Sequence, residues 1–145
     1  MADQTESEIQ IAGSPGQIMD VIADLERYPE WSEGITAVEV LAEFSETGRP
    51  AEARFTLHSG PLLDTYELEY SWDGDDRVSW WLTTGTVLKA MDGTYALRDN
   101  GDGTTAVSYR LAVDVKIPLI GVLKRRAEKV IVDTALKGLK ARVES

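Results

Sequence analysis

Tyrosine is the residue type best placed to do chemistry in this chain. Tyr66, Tyr70, Tyr95 and Tyr109 each fall on the apolar side of an alternating polar/apolar run. A phenol can donate and accept a hydrogen bond, orient a polar group or act as a general acid. When buried, each hydroxyl needs a partner. Two readings follow: the phenols bond to one another, to backbone or to water, or one or two of them enter a cavity and orient a ligand. The only histidine is His58, and there is no cysteine. A Cys nucleophile, a disulfide framework and thiolate zinc sites are therefore excluded. Any triad or His acid/base pair would have to pass through His58. That residue alternates with the apolar Leu57, which places it outward or at a rim. A solvated surface histidine is the expectation, with ligand gating or catalysis as its alternative. No second His exists to share a metal.

Other local patterns carry less chemistry. Asp99-Asn100-Gly101-Asp102-Gly103 lacks the spaced ligands and closing Glu of a calcium loop and reads as a hairpin turn. Lys124, Arg125, Arg126 and Lys129 form a basic cluster. It is read as a solvated helix face, or as a weak contact for an anionic surface. No P-loop, dinucleotide fingerprint or paired-His helix occurs, and neither cofactor nor metal is expected.

Positioning these groups falls to a clear succession of elements. Residues 8–11 alternate as a short strand. Ser14-Pro15-Gly16-Gln17 then offers a cap, a first-turn proline and a capping box, followed by Ile18, Val21, Ile22 and Leu25 on one stripe. Pro29 is expected to interrupt, and residues 30–34 to form a second short helix with Trp31 plugging one end of the interior. From 36 to 116 the period is two, in six runs separated by turn clusters. A three-residue loop at 74–76 sets Tyr70 opposite Trp80 and Leu68 opposite Leu82. Another at 101–103 sets Tyr95 opposite Tyr109 and Leu97 opposite Val107. Each pairing joins apolar to apolar, and a slip by one would turn every such side chain outward. Trp81 should then lie outside, beside an inward Trp80. Ala53 and Gly93 are the small inner residues where a cavity could open.

Pro118 is expected to open a final helix of about 25 residues, close to 40 Å long. Leu119, Leu123, Ala127, Val130 and Ile131 make one stripe on it, and Val132, Leu136, Leu139 and Val143 a rotated second. The architecture is α+β: a seven-stranded antiparallel sheet wrapped around a long C-terminal helix, with two short helices after the first strand.

Composition narrows the class. The chain has 145 residues, 43% of them hydrophobic and 28% charged, with a net charge of −10. One sizeable core is affordable at that length. So acidic a surface repels phosphate backbones, which argues against nucleic acid. Met-Ala-Asp-Gln-Thr-Glu carries no apolar run, so a signal peptide is not expected. No stretch of about 18 uninterrupted apolar residues occurs, so no membrane span is expected either, and the absence of cysteine suits the cytoplasm.

The element order resembles that of the polyketide cyclase/dehydrase and lipid-transport family, of the START-like (SRPBCC, helix-grip) superfamily. Tyr28-Pro29-Glu30-Trp31, Asp92-Gly93-Thr94-Tyr95-Ala96-Leu97, Gly101-Asp102-Gly103-Thr104-Thr105 and Leu136-Lys137-Gly138-Leu139-Lys140 carry the resemblance. It implies one domain over 1–145, with about 1–6 a flexible tail, and a hydrophobic cavity between sheet and helix. Such families include aromatase/cyclases, plant allergens and sterol carriers and share no catalytic motif, so no catalytic residue is assigned. The expected cavity residues are Phe55, Leu57, Tyr66, Leu68, Tyr70, Trp80, Leu82, Met91, Tyr95, Tyr109, Leu119, Leu123, Ala127 and Ile131, with a gate over 119–123. The expected function is binding or carrying a lipid, isoprenoid or polyketide-like molecule. The alternatives are a cyclase/aromatase/dehydrase and a surface interaction module.

Overall fold

Side-chain alternation and loop length together determine how the strands pair. The computed structural model describes residues 5–59, 62–116 and 121–145. Its elements are β1 (Thr5–Ala12), α1 (Pro15–Ala23), a 3-10 helix (Leu25–Glu30), β2 (Ile35–Glu43), β3 (Pro50–Ser59), β4 (Leu62–Asp73), β5 (Arg77–Thr84), β6 (Leu88–Asp99), β7 (Thr104–Val115) and α2 (Gly121–Glu144). The strands form one antiparallel sheet in the order β1-β7-β6-β5-β4-β3-β2. Tyr70 pairs with Trp80 and Leu68 with Leu82. Tyr95 pairs with Tyr109 and Leu97 with Val107. The expected register holds in both hairpins, and Trp81 is 37% exposed while Trp80 is 7% exposed. Register shifts in β2–β3, β4–β5 and β6–β7 mark irregularities of the kind that bend strands.

The helices differ from expectation in two places. Ser14 caps α1: its hydroxyl accepts from the Gln17 N–H at 3.2 Å, and its own N–H donates to Gln17 Oε1 at 3.0 Å. The expected second helix over 30–34 is instead the 3-10 helix, which lies earlier and runs through Pro29. Pro29 is tolerated because the local bonds use other donors: Arg27 N–H to Asp24 O, and the Trp31 and Ser32 N–H groups to Tyr28 O. β1 already begins at Thr5, within the tail expected over 1–6.

On α2, Val132, Leu136 and Leu139 are buried, whereas Val130 is 60% and Ile131 45% exposed. Glu128, four residues before Val132, extends the sheet-facing side and is 1% exposed. Its carboxylate accepts from the Val113 N–H at 2.7 Å and the Thr5 hydroxyl at 2.8 Å. Gly138 lets α2 approach the 3-10 helix closely, since a Cβ there would stand 2.7 Å from the Trp31 carbonyl oxygen. A second buried carboxylate, Asp64, accepts from the N–H groups of Thr86, Val87 and Leu88 and so fixes the β5–β6 connection.

Gly93 does not open a cavity. The Trp80 ring lies against it, and a Cβ there would stand 2.2 Å from a ring carbon. Gly93→Ala should therefore destabilise the protein by about 1–3 kcal/mol, the usual cost of overpacking. Urea unfolding measures it, and the cost should shrink in a Trp80→Leu background, where the obstructing ring is gone. An equal cost in both backgrounds would contradict the contact.

Candidate functional site

Alternation on five adjacent strands sends one set of side chains toward α2. Phe55 and Leu57 come from β3, Tyr66, Leu68 and Tyr70 from β4, Trp80 from β5, Met91 and Tyr95 from β6, and Tyr109 and Leu111 from β7. With Val130, Ile131, Thr134 and Ala135 of α2, they line a partly open cavity of about 280 Å³. Tyr28, Trp31, Ser32, Glu33 and Ile35 complete its lining. The volume sits near the lower end of small-molecule pockets, about 300–1,000 Å³.

The rings form two connected groups. Phe55 stacks on Tyr66 with centroids 5.4 Å apart, and Tyr28 bridges Phe55 to Trp31 at 6.2 and 4.7 Å. Trp80 meets Tyr109 edge-on at 5.6 Å and Tyr95 at 5.4 Å, while Tyr95 and Tyr109 lie 4.6 Å apart. Such offset and edge arrangements suit the ring quadrupoles and lock the side chains.

Hydroxyl partners separate the tyrosines by role. Tyr28 donates to the Ile22 carbonyl at the end of α1 and so is spent on structure. The hydroxyls of Tyr66, Tyr70, Tyr95 and Tyr109 have no hydrogen-bond partner among the described residues. None is a sealed, unsatisfied atom either, so each reaches the cavity space. Burial is the main cause that raises the pKa of all five tyrosines, with neighbouring phenols adding to it in Tyr28, Tyr66, Tyr70 and Tyr95. Asp64 raises Tyr66 further and Asp24 raises Tyr28.

Several expected site residues lie elsewhere. Leu82 is half-buried against the core and does not line the cavity. Ala127 is exposed, because the neighbouring Glu128 takes the sheet-facing position and one residue rotates the helix by about 100°. Leu119, the side chain of Leu123 and the gate over 119–123 lie outside the described residues. His58 is exposed and absent from the lining. Within the basic cluster, Arg125 and Arg126 are exposed, and Lys129 is paired with Asp133 at 3.0 Å and with Ser7. The Lys124 side chain is outside the described residues. Sequence reading missed Tyr28, Ser32, Glu33, Ile35, Leu111, Val130, Thr134 and Ala135 as lining. Leu111 shares its face with Tyr109, and Thr134 and Ala135 follow Ile131 by one helical turn, so those three were within reach of the pattern. Among the described residues, no three His, Asp or Glu side chains gather as a metal ligand set, and no described helix is long and apolar enough to cross a membrane.

A seven-stranded antiparallel sheet curled over one long C-terminal helix is the START-like, helix-grip fold. Residues 2–144 match the family described as polyketide cyclase / dehydrase and lipid transport, and the chain belongs to that family. It is similar in structure to a START superfamily protein from Mycobacterium smegmatis, with a TM-score of 0.90 and 21% identity over 97% of each chain. The Zhui aromatase/cyclase from a Streptomyces species has a TM-score of 0.76 and 14% identity, covering 99% of this chain and 94% of that one. A conserved protein from Geobacillus kaustophilus has a TM-score of 0.80 and 14% identity, covering 98% and 95%. At these identities the likenesses establish the fold alone. Among curated proteins, none matches this chain.

The phenols generate a pH prediction. All five tyrosines of the chain hold their protons more tightly when folded. Their contribution to stability is complete below the unfolded value of about 10 and is lost as pH rises above it. An alkaline titration should show no phenolate absorbance while near-ultraviolet circular dichroism stays native. Both signals should then change together as the protein unfolds. A tyrosine ionising near pH 10 in the folded protein would contradict this burial.

His58 generates a second. His58→Ala should change unfolding free energy by less than about 0.5 kcal/mol, as at ordinary surface sites. A loss of several kcal/mol in urea unfolding would show a structural role that its exposure does not suggest.

Proposed function

We propose that the protein binds and carries a hydrophobic small molecule in the cavity between the sheet and α2. The observation that carries this reading is the aromatic lining, in which Phe55 and Tyr66 on one side and Trp80, Tyr95 and Tyr109 on the other present ring surface to one space. Apolar burial drives such binding at about 25 cal/mol per Å². Membership of a family described by lipid transport as well as cyclase and dehydrase chemistry supports it.

An enzyme of the cyclase, aromatase or dehydrase type is the second reading, and the shared fold of the Streptomyces aromatase/cyclase supports it. That chemistry needs an acid and a base within reach of the substrate. The described lining offers phenols that stay protonated, and its one carboxylate is Glu33, which is exposed. Acid without a facing base favours holding a molecule over converting it.

Native mass spectrometry of freshly purified protein tests the binding reading. A mass increment that organic extraction removes is expected, together with calorimetric binding of naphthalene by the extracted protein. Ala135→Phe, which projects a ring into the cavity from α2, should weaken naphthalene at least about 10-fold, as expected when roughly 1.4 kcal/mol of binding is lost. Absence of both a retained molecule and naphthalene binding in the wild type would overturn the reading.

A further inference from the structure

We infer that the cavity selects a compact ring compound bearing carbonyl or hydroxyl oxygens, through the hydroxyls of Tyr66, Tyr70, Tyr95 and Tyr109, and rejects free carboxylates and other anions. The inference rests on the binding reading and adds the chemical class of the ligand.

Four donors face one space. The tyrosines are 5%, 5%, 4% and 7% exposed in that order, so all are more than nine-tenths buried. Their hydroxyls bond to nothing among the described residues, yet each is open to the cavity. Phenols in a core are ordinarily satisfied by protein groups. Here the missing partner must be water or a ligand oxygen. A plain hydrocarbon would displace the water and leave the donors bare. A ligand with acceptor oxygens replaces those bonds, each worth about a 2- to 10-fold gain in affinity.

Charge follows from what is absent at the wall. No Lys, Arg or His occurs among the described lining residues, and the single charged one is Glu33. Among nearby cations, Lys129 is paired with Asp133, Arg27 with Asp24 and Glu30, and Arg142 with Glu30, while Arg125 and Arg126 are exposed on α2 and are not among the lining residues. The chain carries −10 overall. An anion in this cavity would lose its hydration and meet no counter-charge. The phenols remain protonated because burial disfavours phenolate, so they keep their role as donors.

Calorimetry with three ring-matched probes at neutral pH tests this. Acetylnaphthalene should bind about 2- to 10-fold more tightly than naphthalene, and naphthoic acid more weakly than the ketone. Tyr95→Phe with Tyr109→Phe, and separately Tyr66→Phe with Tyr70→Phe, keep every ring and remove two hydroxyls each. At least one pair should abolish the ketone's advantage while naphthalene affinity holds or rises. Near-ultraviolet circular dichroism confirms the fold, and the two pairs serve as alternates for each other. Naphthoate binding as tightly as the ketone would overturn the inference. So would a ketone preference that survives both pairs, or no preference at all with naphthalene bound. Binding of none of the probes would defeat the binding reading itself.

Discussion

The indole of Trp80 lies on Gly93, directly across the β5–β6 pair, and the interior is organised around that contact. A side chain at residue 93 would push the ring off the sheet. With hydrogen there, Trp80 sinks to the floor and its edges meet Tyr70, Tyr95 and Tyr109. These neighbours are then held by ring contacts and need not use their hydroxyls to fix their positions. Trp80 is thus a packing device that frees phenol oxygens for the cavity. Gly138 has a comparable part at the other wall, where close approach of α2 to the Trp31 backbone leaves the Trp31 ring at the cavity's end.

Most of the sheet was legible because its signals are redundant. Tyr70 opposite Trp80 follows from alternation on each strand and from the length of the connecting loop, and the two agree. The same holds for Tyr95 and Tyr109. Where a single signal stood alone, reading failed. Proline at 29 suggested a break, but a 3-10 helix loses only one bond there and continues. On α2, apolar stripes alone cannot reveal that Glu128 faces the sheet. Its burial depends on the Val113 N–H and the Thr5 hydroxyl, contributed by residues distant in the chain. Ala127 was misplaced for that reason. The freedom of the four hydroxyls was equally hidden, since whether a buried phenol has a partner is a property of three-dimensional packing.

Charge is partitioned between the two faces of the sheet. Outside, Arg54 bridges Glu39 and Glu67, and the Trp81 indole donates to Glu69. Exposed pairs of this kind contribute little each, but they place charged and polar groups on outward positions of β2, β3, β4 and β5 and so agree with the register. Inside, the described cavity wall holds aromatic rings, aliphatic side chains, Ser32 and Thr134, with Glu33 its sole ionic member. Most of the chain's acidity thus lies outside, and the two buried carboxylates, Glu128 and Asp64, are spent on backbone and hydroxyl donors away from the described cavity lining.

A folded core gains most when every buried donor is bonded or absent. Phenylalanine at 66, 70, 95 and 109 would keep the same ring surface without the cost of four open hydroxyls. Folding alone therefore does not account for the tyrosines, whereas it does account for Tyr28, whose hydroxyl ties the 3-10 helix to the end of α1. Departures from local optimality concentrate where function requires them. The contrast between one committed phenol and four uncommitted ones, all near one cavity, points to a wall whose polar groups are completed by what it holds.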